Sequence, residues 1–517
     1  MHRLLLLLTL ILPAGALAAE SGLPEPTWYF FAAIVPFSLL LLWSSARIRT
    51  AAEFYASGRQ TGGLSNGLAI TGDYLSAASF LGITGLILIS GYSGMLYAVG
   101  FFAGWPLILI LLADKLRSLG RYTLADVVSD RFERRPVVFL STVGYFPVVV
   151  LYLAAQLVAV GYLSEYLFNL PYSWGVLTVG GMAVLTGITG RMIFSSRAQM
   201  IKAILILVST AIVVTLALLP GQRLPDLFSL AQVQPLLPDT LYYLPGVDDT
   251  PLSMISLGLA LMLGPVGLPH IMSRFFSVAD ERRARMSVFY ATGFIGLFYI
   301  LTFVMGFAAV SYLAGTTSVA PADGGNLAAL HLAEAVGGAP LAGVLAAVLL
   351  TVLLSVLTSL TLAGSSALSH DWYVLTMRPA SSYSEERNVH RMAAAISGIS
   401  AVVAALLFEH QNVAFIVGLA FAFAASVNVP LLLGSLYWSR LTTRGAVIGG
   451  WAGLLCVTFC TLTGPLVWVD ILGFSDALFP SRYPALLSVT VAVLGMWYFS
   501  VSDRTEPPAA EEQEPRP

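Results

Sequence analysis

Hydrophobic residues fall along this chain in long, nearly unbroken runs, not in the alternating or one-faced patterns of soluble strands and helices. A bilayer core takes about 20 apolar residues per helix. Runs of that kind lie at roughly 27–46, 65–90, 95–113, 137–167, 173–190, 199–219, 252–272, 287–313, 340–369, 391–408, 412–436, 446–465 and 484–501. They predict thirteen transmembrane helices, here called spans 1 to 13. Ahead of them, "MHRLLLLLTLILPAGALAAE" has a short basic start, an apolar stretch too short to cross, and Ala16-Leu17-Ala18. That order predicts a signal peptide over 1–19, which leaves the mature N-terminus outside.

Charge tests this layout, because cytoplasmic loops collect Lys and Arg. Of the 26 basic residues, 23 fall on the sides that the thirteen spans make cytoplasmic, Lys202 and Arg274 among them, and only Arg223 and Arg482 fall on outer loops. The outer segments near 220–250 and 315–338 are acidic and rich in Gly or Pro. The last residues, 502–517, carry nothing to bury and predict a disordered cytoplasmic tail. Composition agrees: 57% of residues are hydrophobic, 10% are charged, and the mean hydropathy is +0.83. The class is an all-α multi-pass membrane protein, with one transporter domain over 20–501. Nothing in the charge distribution points to nucleic acid. Cys456 and Cys460, one turn apart in span 12, read as small packing residues.

Two spans carry residues that a plain membrane helix avoids. Span 2 has Gly72, Asp73, Ser76 and Ser79 at its middle, in "NGLAITGDYLSAASFLGITGL". Span 7 reads "LALMLGPVGLPHIMSRFF", and Gly264-Pro265 with Gly267 and Pro269 cannot continue a regular helix. Irregular backbone at membrane depth survives only against protein or a wet cavity. Breaks five spans apart imply two five-helix repeats, about 65–219 and 252–436, with the second inverted. Paired breaks of this kind mark a transporter's solute site. Half-helix N-termini suit an anion, and freed carbonyls suit a cation. Close helix packing is the alternative role for Gly72 and Gly264, and a structural hydrogen bond is the alternative for Asp73. With no paired metal-ligand motif, an enzyme is not expected and no cofactor is implied. An ion channel is the rival from another class, but it needs no paired breaks.

Certain motifs resemble a known family. "SLYWSRLTTRGAVIGGWAG", with Arg440, Gly445, Ala446, Gly449 and Gly453, resembles a signature of the sodium:solute symporter family. "GLPHIMSRFF" resembles a segment of its proline and pantothenate branches. The likeness over the whole chain is to its bacterial cation/acetate symporter (acetate permease) branch, through "NGLAITGDYLSAASFLGI", "GWPLILILLADKLRSLGRYTLADVVSDR" and "LTLAGSSALSHDWY". The resemblance implies a leucine-transporter-like 5+5 inverted repeat with alternating access. It also implies a short monocarboxylate such as acetate, co-transported with Na⁺ or H⁺ across a bacterial inner membrane. Pyruvate, propionate, glycolate and proline are the alternative solutes.

The family's shared sodium site, carried over position by position, implies backbone donors at Gly72 and Leu75, with Val352 and Ser355 on span 9. Asp73 is a further candidate for the cation. Many members have a hydroxyl where this chain has Val356, which weakens the sodium assignment. For the solute, the expected wall is Ser76 and Ser79 with the amides of the first break, faced by Gly264, Gly267 and His270. His270 serves equally as a cap for the resumed half of span 7. Arg274 is expected to anchor or gate. Gln156 and Asn428 are polar candidates for interhelical hydrogen bonds.

Overall fold

The computed structural model describes residues 23–45, 62–119, 124–189, 196–219, 251–276, 278–313, 323–378 and 382–503. The expected signal peptide and all but the first two residues of the expected tail lie outside them. Among the described residues every regular element is helical. In chain order the α-helices are α1 (Pro26–Ser45), α2 (Gly63–Tyr74), α3 (Ile83–Ser90), α4 (Met95–Leu111), α5 (Ala113–Ser118) and α6 (Leu124–Ser129). Next come α7 (Arg134–Phe168), α8 (Tyr172–Thr189), α9 (Ser196–Leu218), α10 (Pro251–Leu263), α11 (Pro269–Phe276) and α12 (Glu281–Leu313). The last are α13 (Ala328–Ser366), α14 (Tyr383–Leu407), α15 (Val413–Ser426), α16 (Asn428–Tyr437), α17 (Thr443–Thr463) and α18 (Ala485–Val501). Among the described residues, eight helical segments are long and apolar enough to cross a membrane, which makes this a multi-pass membrane protein.

Both expected interruptions are present, and each has a local cause. Span 2 is α2 and α3, separated at Leu75 and Ser76 and by a π-turn over Ala78–Gly82. Leu75 is extended (φ −67°, ψ 119°), so the last carbonyls of α2 have no following turn to bond. Span 7 is α10 and α11, joined by a 3₁₀ turn over Gly264–Gly267. Leu268 precedes Pro269 and is held extended (φ −96°, ψ 102°), as residues before proline are. Span 11 also divides, into α15 and α16, at Val427 (φ −121°, ψ −62°).

Three expectations need correction. First, Gly72 is inside α2, and the chain leaves the helix three residues later. A Cβ at Gly72 would lie 2.0 Å from the Gln199 carbonyl oxygen, so this glycine lets α2 and α9 touch. Second, the outer segment ending near 338 is not simply a loop. Residues 328–337 form helix, with Ala328, Leu330, Leu332 and Ala333 fully buried. That arm meets the rest of α13 at Gly338, whose φ of +68° only glycine adopts readily. Third, Lys202 and Arg274 are not loop charges. Each is inside a helix and buried, at 1% and 5% exposure. Hydropathy cannot tell a charge turned inward from one at a helix end.

Candidate functional site

The first break is held open by side chains from α7 and α12. Ala77 N–H donates to Gln156 Oε1 on α7 at 3.3 Å. Tyr152, one turn earlier on the same helix, donates to the Ser76 hydroxyl at 3.4 Å. Ser79 and Tyr299 of α12 share a hydrogen bond of 3.4 Å. One of the amides expected to meet a carboxylate is therefore already engaged by Gln156. Its amide nitrogen, in turn, is buried without a partner among the described residues.

The second break packs against α15 and α16. A Cβ at Gly264 would lie 2.2 Å from the Phe421 Cβ, and one at Gly267 would lie 3.0 Å from Ala424 O. Both glycines therefore turn toward span 11 and can offer a solute backbone only. Asn428 Nδ2 donates to the Gly267 carbonyl at 3.0 Å, satisfying a group that the broken helix releases. Its amide oxygen is left without a partner among the described residues. His270, at the start of α11, shares a 3.2 Å hydrogen bond from Nδ1 with the Tyr145 hydroxyl. The Tyr152 ring stands edge-on to His270 at 6.1 Å and to Phe421 at 6.0 Å. Tyr152 thus joins the two breaks. It bonds Ser76 on one side and packs against His270 and Phe421 on the other.

The residues expected to hold a cation gather where α2, α9, α11 and α13 meet. Gly72 rests on the backbone of Gln199. Gln199 exchanges two hydrogen bonds with Ser355 of α13, donating from Nε2 at 3.0 Å and accepting at Oε1 at 3.2 Å. Leu75, Val352 and Val356 are buried. Asp73 is paired with Arg274, whose Nε donates to Oδ2; the two side chains are 7% and 6% exposed. Arg274 also donates to the Ser196 hydroxyl at 2.7 Å, and its carbonyl accepts from Asn66 at 3.2 Å. It therefore ties α11 to both ends of α2 and to the start of α9, which fits the anchoring role expected of it. Lys202, one turn beyond Gln199, has no hydrogen-bond partner for Nζ among the described residues. Among those residues no group of three or more His, Cys, Asp or Glu side chains is placed to hold a metal.

Sequence reading found the breaks but missed Tyr145, Tyr152, Tyr299, Gln199 and Lys202. The tyrosines sit in long apolar spans, where an aromatic residue gives no signal of its own. Tyr145, Tyr152 and Gln156 do recur at about two-turn and one-turn intervals on α7, so they share a face. That spacing was the available clue.

Comparison with known proteins supplies the wider setting. The model of the sodium:solute symporter family matches residues 54–453. Among solved structures, the chain is similar to a substrate-bound, outward-open Na⁺-coupled sialic acid symporter. That match has a TM-score of 0.71 and 14% identity, and covers 93% of this chain and 98% of the other. It is also similar to the Eremococcus coleocola manganese transporter, with a TM-score of 0.52 and 17% identity, over 85% and 93% of the two chains. A nucleobase-cation-symport-1 family transporter matches at TM-score 0.51 and 13% identity, over 87% and 94%. At these identities the likeness is one of fold.

Proposed function

The chain belongs to the sodium:solute symporter family, and from that membership we propose that it takes up acetate or a similar short monocarboxylate with a cation by alternating access. As a symporter of this family it carries a solute and a coupling cation through the membrane. The finer reading rests on one observation: two broken helices meet around a small cluster of hydrogen-bonding groups. Ser76, Ser79, Tyr152, Tyr299 and the unpartnered Gln156 amide nitrogen supply donors for a carboxylate's two oxygens. His270 and Phe421 close the cluster with ring surface, which suits a short carbon chain.

In this proposal the repeats are 65–219 and 252–436, and thirteen spans follow a signal peptide over 1–19. The mature N-terminus is outside, the tail 502–517 is cytoplasmic, and the membrane is a bacterial inner membrane. The cation site is where Gly72, Asp73, Leu75, Val352 and Ser355 come together. Electrostatics supports symport. A monocarboxylate moving inward opposes an inside-negative potential at about 2.3 kcal/mol per charge per 100 mV, and one co-transported cation cancels that cost. The test is uptake of labelled acetate by proteoliposomes under separately imposed Na⁺ and H⁺ gradients. Acceleration by at least one gradient is expected. Uptake indifferent to both would exclude the symport reading.

A further inference from the structure

Lys202 is the strangest residue in the molecule. It lies in α9, within a predicted membrane span, is 1% exposed, and its ammonium nitrogen has no hydrogen-bond partner among the described residues. A lysine desolvated in this way is costly unless opposite charge or carbonyl dipoles surround it. Its position supplies both. Residues three apart on a helix share a face, so Lys202 follows Gln199 on the side of α9 that meets Gly72 and Ser355. Asp73, beside Gly72, is the acid whose field acts on it, against the opposing field of Arg274. The last turn of α2, which carries freed carbonyls and the negative dipole end, includes the Gly72 that rests on Gln199.

The side-chain donors expected to hold a metal cation there already have partners. The Ser355 hydroxyl both accepts from and donates to Gln199, and Asp73 Oδ2 accepts from Arg274. The carbonyls of Ser355 and Val356 accept from the Ser359 hydroxyl at 2.8 and 3.3 Å. A hard cation wants several oxygens, and here it would also meet a like charge.

We infer that the ammonium of Lys202 is the resident cation of this site, and that any sodium the chain carries binds elsewhere. The inference rests on reading the Gly72–Ser355 region as the cation site of the symporter. It goes beyond that reading, because a site whose charge the protein itself supplies leaves the coupling cation to act elsewhere. On this account Lys202 does from within the protein what a bound metal ion would do. It neutralises the end of α2 and joins α2 to α13 through α9.

Binding of radiolabelled sodium to the purified full-length protein in detergent is the first test, and it needs no solute. Wild type and Ser355→Ala should bind sodium alike, whether weakly or not at all. A saturable wild-type signal that Ser355→Ala lowers tenfold or more would overturn the inference. Because Ser355→Ala could fold poorly, Lys202→Arg and Lys202→Met are also compared for labelled acetate uptake in proteoliposomes under whichever imposed Na⁺ or H⁺ gradient drives the wild type. Lys202→Arg should stay within a few-fold of wild type, and Lys202→Met should fall at least tenfold. A Lys202→Met protein that transports like wild type would overturn the inference. Absence of acetate uptake by wild type would count against the proposed solute, and the sodium-binding comparison would still decide the role of Lys202.

Discussion

Asp73 and Arg274 carry opposite charges almost wholly out of reach of solvent, at 7% and 6% side-chain exposure. Such a pair contributes little over a well-packed apolar substitute, but removing one partner strands the other. Asp73→Asn or Arg274→Gln alone should each lower stability by about 3–5 kcal/mol. The double variant should lose clearly less than the sum. Thermal unfolding of the four proteins in detergent measures the coupling, and strict additivity would show that the pair does not act as a unit. Gly72 makes a second sharp case. A methyl there would sit 2.0 Å from Gln199 O, so Gly72→Ala should cost about 3 kcal/mol through overpacking. Gly181→Ala in α8 is the control. Nothing lies within 4 Å of its added carbon, and its unfolding temperature should not fall.

Among the elements, α7 sets the geometry of both breaks, because Tyr145, Tyr152 and Gln156 lie on one face and reach His270, Ser76 and Ala77. Tyr152→Phe keeps the ring against Phe421 and deletes only the hydroxyl, so under the proposed function KM for acetate should rise several-fold with little change in stability. An unchanged KM would remove Tyr152 from the solute site. The elements themselves were largely legible in the sequence. Each predicted run falls on a helix or a divided pair of helices, and among the described residues eight helical segments are long and apolar enough to cross a membrane. Pro265 and Pro269 announced the second break because proline acts on backbone directly. The first break was legible only in outline. Gly72 flagged the region, yet the chain departs at Leu75, held there by partners that no local rule foretells. Lys202 was misread for a related reason. Its direction depends on what packs around α9, and a count of loop charges cannot register that.

For the whole molecule, two of the hydrogen-bonded knots among the described residues bear on opening. One is centred on Arg274 and joins α2, α9 and α11. The other joins α15 to the turn before α13 and to the end of the π-turn. There Asn412 donates to Gly82 O at 3.1 Å and Gly324 O at 2.8 Å, and Asn326 Oδ1 accepts from Val413 N at 3.0 Å. Under the proposed alternating access, with the two knots toward opposite sides, opening would loosen one knot while keeping the other. Weakening the first should favour the state open at that end. In a Cys456→Ser/Cys460→Ser background, a cysteine placed at the fully buried Ala69 of α2 should react with a thiol reagent about tenfold faster when Arg274 is Gln. Equal rates would show that Arg274 does not bias the opening.

The bend at Gly338 gives α13 two mechanical parts: an outer arm, and the shaft that carries Ser355. The space around it is generous, since an added carbon would meet only the Pro340 ring at 3.5 Å. What forbids a side chain there is torsion, not room. Pro340 bars a straight rod through the joint, so any other residue at 338 would sit strained at the bend, and its toll should appear in turnover rate before it appears in affinity.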